Sequence, residues 1–319
     1  MTSRYTLSRG HVPLGPGGEF DIVRRMLDRW GELAVGIGDD AASLTPPGGQ
    51  LVVSTDTSVE HVHFRKEWLT PAEIGYRATA AALSDLAAMA ASPVGVFLAL
   101  TLPESDVPLV DELADGIGEC IRSSGTTILG GDVTRGANLS LTLTVLGAAA
   151  SPLLRSGAVA GDRVYVTGML GAPLGALRCF LAGQAPTAAI RNRFAHPVPR
   201  LKESRWLGDH GVRAAIDISD GLIADARHLA VASGVEIHVR GESVPAFAGM
   251  RSDDALAGGE EYELLVTCPG PLDTAAFRRE FGLDLTEIGE VRGGEADVVL
   301  TAGGRRVALP AGYDHFTAR

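Results

Sequence analysis

Aspartates beside glycine, serine or threonine recur in five short motifs. The motifs are GIGDDAA (36–42), STDT (54–57), LSDLAAM (83–89), GGDVTRG (130–136) and DISDG (217–221). Each of them, taken alone, is also typical of an ordinary turn. Two carboxylates about 4 Å apart at an effective dielectric near 20 repel by roughly 4 kcal/mol, so several could share a cleft only with cations among them. Oxygen ligands of this kind suit Mg²⁺, which commonly binds substrate phosphates. The motifs therefore predict a nucleotide–metal site.

Two of these motifs bear most directly on the choice between a binding site and an ordinary turn. Asp85 lies in the alanine-rich stretch ATAAALSDLAAMAAS (78–92), which is typical of a buried helix, and an unpaired buried carboxylate costs several kcal/mol. A surface position on a partly exposed helix is the alternative. Ser54, Thr55 and Asp56 end an apolar strand, so their oxygens either form an exposed turn or hold a ligand.

Phosphates, if they bind, must be held without a lysine-based loop. The chain has only two lysines, Lys66 and Lys202, and neither belongs to a G-x-x-x-x-G-K-[ST] loop. The motifs of protein kinases are absent as well, and Leu222 replaces the glycine that the sixth position of an EF-hand loop requires. We expect metal ions, arginines and the backbone amides of 130–132 and 219–221 to hold phosphate.

The elements that carry these motifs alternate between strands and helices, which indicates an α+β or α/β fold. We predict a flexible lead at 1–18, an N-terminal α/β domain at 19–150 and a C-terminal α/β domain at 151–319. The predicted helices are 17–30, 71–91, 106–124, 172–182, 199–209, 221–232 and 273–280. The predicted strands are 51–56, 94–101, 126–131, 139–149, 163–168, 214–219, 235–239 and 262–268, with three short strands after them.

Composition and charge narrow the class of protein. The 319 residues carry a formal charge of −11, which argues against a nucleic-acid partner because phosphate contacts need a basic face. No stretch resembles a signal peptide or a membrane span. Three scattered cysteines without a C-x-x-C pair fit a reducing compartment, so we predict a cytoplasmic protein.

The motifs, in this order and spacing, resemble the thiamine-monophosphate kinase family, within the superfamily typified by aminoimidazole ribonucleotide synthetase. The resemblance runs from GGEFDIV near residue 18 to GYDHF at 312–316, and it includes STDTSVEHVHF, RSGAVAGDRVYVTG, AIDISDGLIAD and LAGGEEYELL. It implies ATP-dependent phosphorylation of thiamine monophosphate to thiamine diphosphate, several Mg²⁺ ions, and a homodimer formed by the N-terminal domains.

The resemblance also assigns residues by position. Metal-binding positions correspond to Asp40, Ser54, Thr55, Asp56, Asp85, Asp132, Asp217 and Asp220. Positions at the ATP correspond to Gly131, Asp132, Arg155 and Ser219. Positions at thiamine monophosphate correspond to His63, Glu260 and Tyr313. Surface roles for His63 and Arg155, and a packing role for Tyr313, are the alternatives.

Two positions depart from the family pattern. His61 stands where the family commonly has a small residue, often glycine, and Val133 stands where a threonine is common. The first departure concerns the shape of the substrate loop, and the second concerns a hydroxyl on the nucleotide side.

The implied reaction needs no general base. The acceptor is a phosphate monoester whose second pKa is about 6, so its oxygen is mostly ionised at pH 7. The barrier is the repulsion between two polyanions, which several Mg²⁺ ions would screen while holding an in-line geometry. We therefore predict direct transfer without a phosphoenzyme.

Two other classes compete with this interpretation. A selenophosphate synthetase should have an N-terminal Cys or selenocysteine beside a lysine, but the first cysteine here is Cys120; a hydrogenase-maturation relative should end in cysteine, but this chain ends HFTAR. A synthetase with another acceptor stays open. A non-catalytic Mg–nucleotide sensor is the second class, and it would not need a second phosphate-binding side.

Overall fold

The structure is a computed structural model, which describes residues 18–37, 41–42, 48–310 and 312. The chain divides into two compact units. The N-terminal unit comprises residues 1–86 and 91–151, and the C-terminal unit comprises residues 87–90 and 152–319. None of the helices in the described ranges has the length and apolar character that a bilayer crossing requires.

The N-terminal unit contains a four-stranded sheet in the order β1-β4-β2-β3. Its strands are β1 (Gln50–Val59), β2 (Ser92–Leu102), β3 (Ile128–Arg135) and β4 (Ser140–Ala149). Strand β4 pairs antiparallel with both β1 and β2, whereas β2 and β3 are parallel. Strands β1 and β3 are therefore the two edges of this sheet.

Helices pack on one face of this sheet. They are α1 (Gly18–Trp30), α2 (Pro71–Ala88) and α3 (Val110–Ser124). Almost every residue of α2 is buried, as expected for a helix that is apolar on all sides. A capping box starts α2: the amide of Thr70 donates to Glu73 Oε2 at 2.8 Å, and the amide of Glu73 donates to Thr70 Oγ1 at 3.3 Å.

The C-terminal unit contains a seven-stranded sheet in the order β11-β10-β7-β9-β5-β8-β6. Its strands are β5 (Arg163–Thr167), β6 (Ala214–Asp217), β7 (Glu236–Arg240), β8 (Leu264–Cys268), β9 (Leu285–Arg292), β10 (Asp297–Ala302) and β11 (Arg305–Arg306). All pairs are antiparallel except β10 with β7. Every residue of β6 and β8 is buried, and so is β5 after Arg163.

The helices of this unit are α4 (Ala172–Leu181), α5 (Ala188–Ala195), α6 (Leu201–Asp209), α7 (Leu222–Ser233), α8 (Ser252–Ala257) and α9 (Thr274–Phe281). Leu222, Ala226 and Leu229 of α7 are fully buried in one core with Ile216 of β6 and Leu265 of β8. This packing fixes where β6 ends and α7 begins, which is the segment that carries the DISDG motif.

Several boundaries differ from the sequence-based prediction. Strand β1 continues to Val59, beyond the predicted end at 56, because its Ser/Thr-rich second half pairs with β4 up to Ser140. The predicted helix at 106–124 begins instead with a 3₁₀ helix, Glu104–Leu109, that contains Pro108. Helices α5 and α8 were not predicted, because segments of eight and six residues show too little of the helical period.

Candidate functional site

Ser54, Asp56 and Asp85 lie on the helix-covered side of the N-terminal sheet. Asp56 pairs in register with Leu143, and Ser54 with Val145; both partners are buried. Ser54 Oγ donates a hydrogen bond to Asp85 Oδ2 at 2.5 Å. The structure therefore joins the middle of β1 to the only acidic residue in the second half of α2, although 31 residues separate them.

Thr55 lies on the opposite, open face of β1, because successive side chains of a strand alternate. Its hydroxyl is 2.9 Å from the hydroxyl of Thr144, and the hydroxyls of Thr57 and Thr142 are 3.0 Å apart. The side chain of Thr55 is thus directed away from Ser54 and Asp56. If Thr55 binds the same metal ion as Ser54 and Asp56, it must do so through its backbone carbonyl.

Gly131 and Asp132 lie on β3, at the other edge of the sheet. Gly131 pairs with Leu98, Leu98 pairs with Leu143, and Leu143 pairs with Asp56, so these four residues lie side by side across the sheet. Three strand-to-strand spacings of about 4.8 Å therefore separate the two edge strands. Asp132 is exposed and, one residue further along, points to the open face. Asp56 and Asp132 therefore lie on opposite edges and opposite faces of this sheet.

Position 131 admits only glycine. A Cβ atom there would lie 1.8 Å from the carbonyl oxygen of Leu98, so a side chain would break the pairing of β3 with β2. This packing requirement is independent of the nucleotide contact that the family resemblance assigns to Gly131.

His61 and His63 lie in a turn, not on a strand face. Strand β1 ends at Val59, before both histidines. His61 adopts a left-handed backbone with φ of 67°, a conformation that favours glycine. The amide of Val59 donates to His63 Nδ1 at 3.1 Å. This bond leaves the proton of a neutral imidazole on Nε2, so His63 presents an N–H donor there.

Lys66 anchors this turn and is not free for phosphate. Its ammonium donates to Asp106 Oδ2 at 2.6 Å and lies 3.1 Å from Glu60 Oε1, and both carboxylates are buried. Burial opposes the charge of Lys66, but the bonds to Asp106 and Glu60 outweigh it and raise the pKa. The other lysine, Lys202, is exposed on α6.

The segment between β6 and α7 carries Asp217, Ser219 and Asp220. Asp217 is buried at the end of β6, whereas Ser219 and Asp220 are half-buried. The amides of Ser219, Asp220 and Gly221 donate to one oxygen, Oδ2 of Asp225, at 3.0, 3.1 and 3.1 Å. The expectation that these amides hold phosphate is therefore wrong for this conformation, because a carboxylate of the chain itself occupies them.

The assignment of site residues from the sequence missed Asp225 and His228, which lie on α7 beside this segment. One ligand atom from each of Asp220, Asp225 and His228 lies within 4.8 Å of the others. The i, i+3 spacing of Asp225 and His228 on α7 was the signal that could have identified them. Burial first, and then the charges of Asp217 and Asp220, raise the pKa of Asp225 to about 8. This crowding of carboxyl groups suits a cation, which would allow all three to ionise.

Glu260 lies beside this segment. Its amide donates to the carbonyl of Ser219 at 2.7 Å, and the amide of Tyr262 donates to the carbonyl of Ile218 at 2.9 Å. Glu260 and Tyr262 have φ of 61° and 53°, a backbone conformation that costs on the order of 1–2 kcal/mol per residue. Such strain persists where surrounding bonds hold it, and it is concentrated at functional sites.

A buried ionic cluster supports the loop of Glu260. Arg200 donates through Nε to Glu263 Oε2 at 2.8 Å and through Nη2 to Oε1 at 2.5 Å, and Arg193 Nη2 donates to Oε1 at 2.9 Å. Burial disfavours the charge of Glu263, but Arg200 and Arg193 outweigh it and lower the pKa. Burial raises the pKa of the neighbouring Glu261 to about 8, although the amide of Gly171 and the charge of Arg193 oppose it. Glu263 is therefore ionised beside a neutral Glu261, and Arg200 also pairs with Glu203 at 3.6 Å.

One further assigned residue, Arg155, lies away from these groups, and two others cannot be placed. Arg155 is exposed, and its carbonyl accepts a hydrogen bond from Ser233 Oγ at 2.9 Å. Asp40 and Tyr313 lie outside the described residues. Val133, the second departure from the family pattern, is buried.

Two sequence families cover most of the chain. Residues 38–149 match the AIR synthase related protein, N-terminal domain, and residues 159–301 match the C-terminal domain of the same description. Together with the two α/β units, these matches define a protein of the AIR synthase related type and confirm the predicted fold class.

Relatives define the family more narrowly. The thiamine-monophosphate kinase of Salmonella typhimurium is 40% identical, with 94% of this chain and 98% of the relative aligned. The crystal structure of the thiamine-monophosphate kinase from Stenotrophomonas maltophilia has a TM-score of 0.78 at 35% identity and covers 90% of this chain and 96% of its own. The structure "AaThiL complexed with AMPPCP and TMP" has a TM-score of 0.74 at 29% identity, covering 93% and 96%. This chain belongs to the thiamine-monophosphate kinase family.

Proposed function

We propose that this protein transfers the γ-phosphate of ATP to thiamine monophosphate and forms thiamine diphosphate. Membership of the thiamine-monophosphate kinase family carries the proposal, and the ATP analogue and thiamine monophosphate bound to AaThiL support it. The two groups of oxygen donors, one in each unit, are the kind of ligand set that this chemistry needs.

The oxygen donors of the chain fit several Mg²⁺ ions. In the N-terminal unit, Ser54, Asp56 and Asp85 would hold such an ion, because the Ser54 hydroxyl bonds to Asp85 and Asp56 lies on the same face of β1 as Ser54. In the C-terminal unit, Asp217 and Asp220 would do so, beside a carboxyl group whose pKa is raised by their charge. When bound, Mg²⁺ screens the charge of the phosphate groups and favours in-line transfer. Roles of Asp40, Asp132 and the carbonyl of Thr55 in metal binding remain predictions, as does a single cleft for all these groups.

The remaining assigned residues bind the two substrates. We infer that Gly131, Asp132, Arg155 and Ser219 contact ATP. His63, with its Nε2–H fixed as a donor by the amide of Val59, would contact the phosphate of thiamine monophosphate. Glu260 and Tyr313 would contact the same substrate. None of these residues needs to take a proton, because the acceptor phosphate is mostly ionised at pH 7.

We also propose that the protein is a cytoplasmic homodimer. The open face of the N-terminal sheet carries Leu51 and Val53 with 53% and 55% of their surface exposed, and a second copy would cover them. All three cysteines, Cys120, Cys179 and Cys268, are free, as expected in a reducing compartment.

A turnover assay tests the function. Purified protein is incubated with Mg-ATP and either thiamine or thiamine monophosphate, and ADP and thiamine diphosphate are measured. We expect product from the monophosphate alone, and its loss by about 100-fold or more in Asp56→Asn. Asp115→Asn, at an exposed ion pair with Arg29, is the matched control and should retain activity.

Other outcomes would overturn the proposal. ATP turnover that is indifferent to both thiamine compounds would indicate a relative with another acceptor. Binding of Mg-ATP with no turnover under any condition would indicate a nucleotide sensor.

A further inference from the structure

The segment from Ile218 to Gly221 is held on both sides by hydrogen bonds. On one side, three consecutive amides converge on Asp225 Oδ2 at 3.0–3.1 Å. On the other side, the carbonyls of Ile218 and Ser219 accept from the amides of Tyr262 and Glu260 at 2.9 and 2.7 Å. The amides of residues 219–221 therefore already donate to Asp225 and are not available to a bound ligand in this conformation.

Three convergent amides form the geometry of an anion-binding nest. In many phosphate sites the anion in such a nest is the ligand, whereas here it is a carboxylate from the next turn of the chain. Asp225 is buried at 2% exposure on the first turn of α7, so its position is set by the core beneath that helix. The nest is consequently tied to the rigid part of the C-terminal unit.

Close packing of two backbone segments restricts the conformation of residues 218–221. Gly221 has φ of 120°, and a Cβ atom there would lie 2.8 Å from the carbonyl oxygen of Ala257. A Cβ atom at Gly259 would lie 2.5 Å from the carbonyl oxygen of Ser219. The two segments, 218–221 and 258–262, are thus in direct backbone contact, and Asp225 is the side chain that orients the first of them.

We propose that Asp225 is the positioning residue of the nucleotide and metal side of the active site. This inference rests on the proposed function. By accepting hydrogen bonds from the three amides, Asp225 fixes the backbone that carries the side chains of Ser219 and Asp220. Nucleotide phosphates are then recognised through those side chains and their cation, and not through the amides.

The test measures Mg-AMPPCP binding by calorimetry in Asp225→Asn and Asp225→Ala. Asn keeps one acceptor oxygen of similar shape, whereas Ala removes it. We expect affinity to fall in the order Asp, Asn, Ala, by about tenfold or more in Asp225→Ala, since a displacement of about 1 Å in a positioned group can cost 100-fold. Exchange of the amides of residues 219–221 with solvent deuterium should become at least about tenfold faster in the same variant.

Asp162→Asn is the matched control. Asp162 is equally buried in the same unit, accepts a hydrogen bond from the amide of Val159 at 3.0 Å and pairs with Arg213 at 3.0 Å. Asp162 lies at the start of β5, which pairs with one end of β8. Asp217 ends β6 and Asp220 follows it, and this end of β6 pairs with the other end of β8. We expect this variant to bind Mg-AMPPCP as the wild type does.

Each outcome decides the inference. Equal losses of affinity in Asp225→Ala and Asp162→Asn, or unchanged amide exchange, would overturn it. If Asp225→Ala does not fold, Asp225→Asn decides, and wild-type affinity in that variant would overturn it. Nucleotide binding is measured without any thiamine compound, so a wild type that binds Mg-AMPPCP but does not phosphorylate thiamine monophosphate would refute the proposed function alone.

Discussion

At the scale of single residues, the two faces of β1 separate side chains that are adjacent in the chain. Ser54 bonds to Asp85 on one face, and Thr55 bonds to Thr144 on the other. Neighbouring hydroxyl groups of the same motif therefore have different neighbours and should contribute differently to activity.

Substitutions of Ser54 and Thr55 test this difference. Ser54→Ala removes an oxygen ligand and the bond to Asp85, so we expect turnover to fall by about 10- to 100-fold, in line with the loss of groups that orient metal ligands. Thr55→Val keeps the β-branched shape and should lower turnover by no more than about twofold. The measurement is the rate of thiamine diphosphate formation at saturating Mg-ATP. A larger loss in Thr55→Val than in Ser54→Ala would contradict the assignment of faces.

Glu261 links stability to pH. Its pKa of about 8 lies above the usual value of 4.5, so the folded protein keeps a proton that the unfolded chain releases between these values. The stabilising contribution is fully present below about pH 4.5 and is lost as pH rises towards 8. In Glu261→Gln this part of the decline should disappear, and at pH 8 the variant should be more stable than the wild type by up to about 4 kcal/mol.

Urea unfolding from pH 5 to pH 8 measures this effect. Glu263→Gln is the contrasting variant, because it leaves the buried charges of Arg200 and Arg193 without their main partner and should cost about 3–5 kcal/mol at every pH in that range. An unchanged pH slope in Glu261→Gln would show that Glu261 is ionised in the folded protein.

At the scale of elements, the turn after β1 depends on a backbone conformation that histidine rarely adopts. His61 has φ of 67°, which costs about 1–2 kcal/mol for a residue with a Cβ atom. Replacement by glycine removes this cost but adds about 0.5–1 kcal/mol of entropy to the unfolded chain. We expect His61→Gly to range from neutral to about 1 kcal/mol more stable.

A β-branched residue tolerates this conformation least. His61→Val should therefore be less stable than the wild type by about 1–2 kcal/mol, and His61→Asn should lie near the wild type. Thermal and urea unfolding of the three variants give the order. A His61→Gly variant less stable than His61→Val would mean that contacts of the imidazole, and not the backbone, hold the turn.

At the scale of the whole molecule, the open face of the N-terminal sheet is the surface that a second copy would cover. Light scattering of the wild type should give the mass of a dimer. Val53→Asp places a charge on this face and should shift the mass towards that of a monomer. Val231→Asp, at an equally exposed apolar residue of α7 in the C-terminal unit, should leave the dimer intact. A monomeric wild type, or equal effects of both variants, would contradict the proposed interface.

Most of the architecture was predictable because its signals are local. The alternation of strands with helices and the apolar run of α2 each depend on residues within a few positions of one another. Where local signals were weak, as in the short helices α5 and α8, or contradicted by pairing, as in the second half of β1, the prediction failed. The chemistry of the site was predictable in kind, since aspartate and serine oxygens suit the same cations wherever they lie.

The sequence by itself determined the family, the order of the elements and the oxygen-rich character of the candidate ligands. Only the tertiary structure decided that Ser54 faces Asp85 while Thr55 does not, that Asp225 occupies the amides of the DISDG segment, and that Asp56 and Asp132 lie on opposite edges of one sheet. The physical reason is that residue type and period are properties of neighbouring positions. The partner of a hydrogen bond between distant segments is chosen by strand register and by the packing of helices on the sheet.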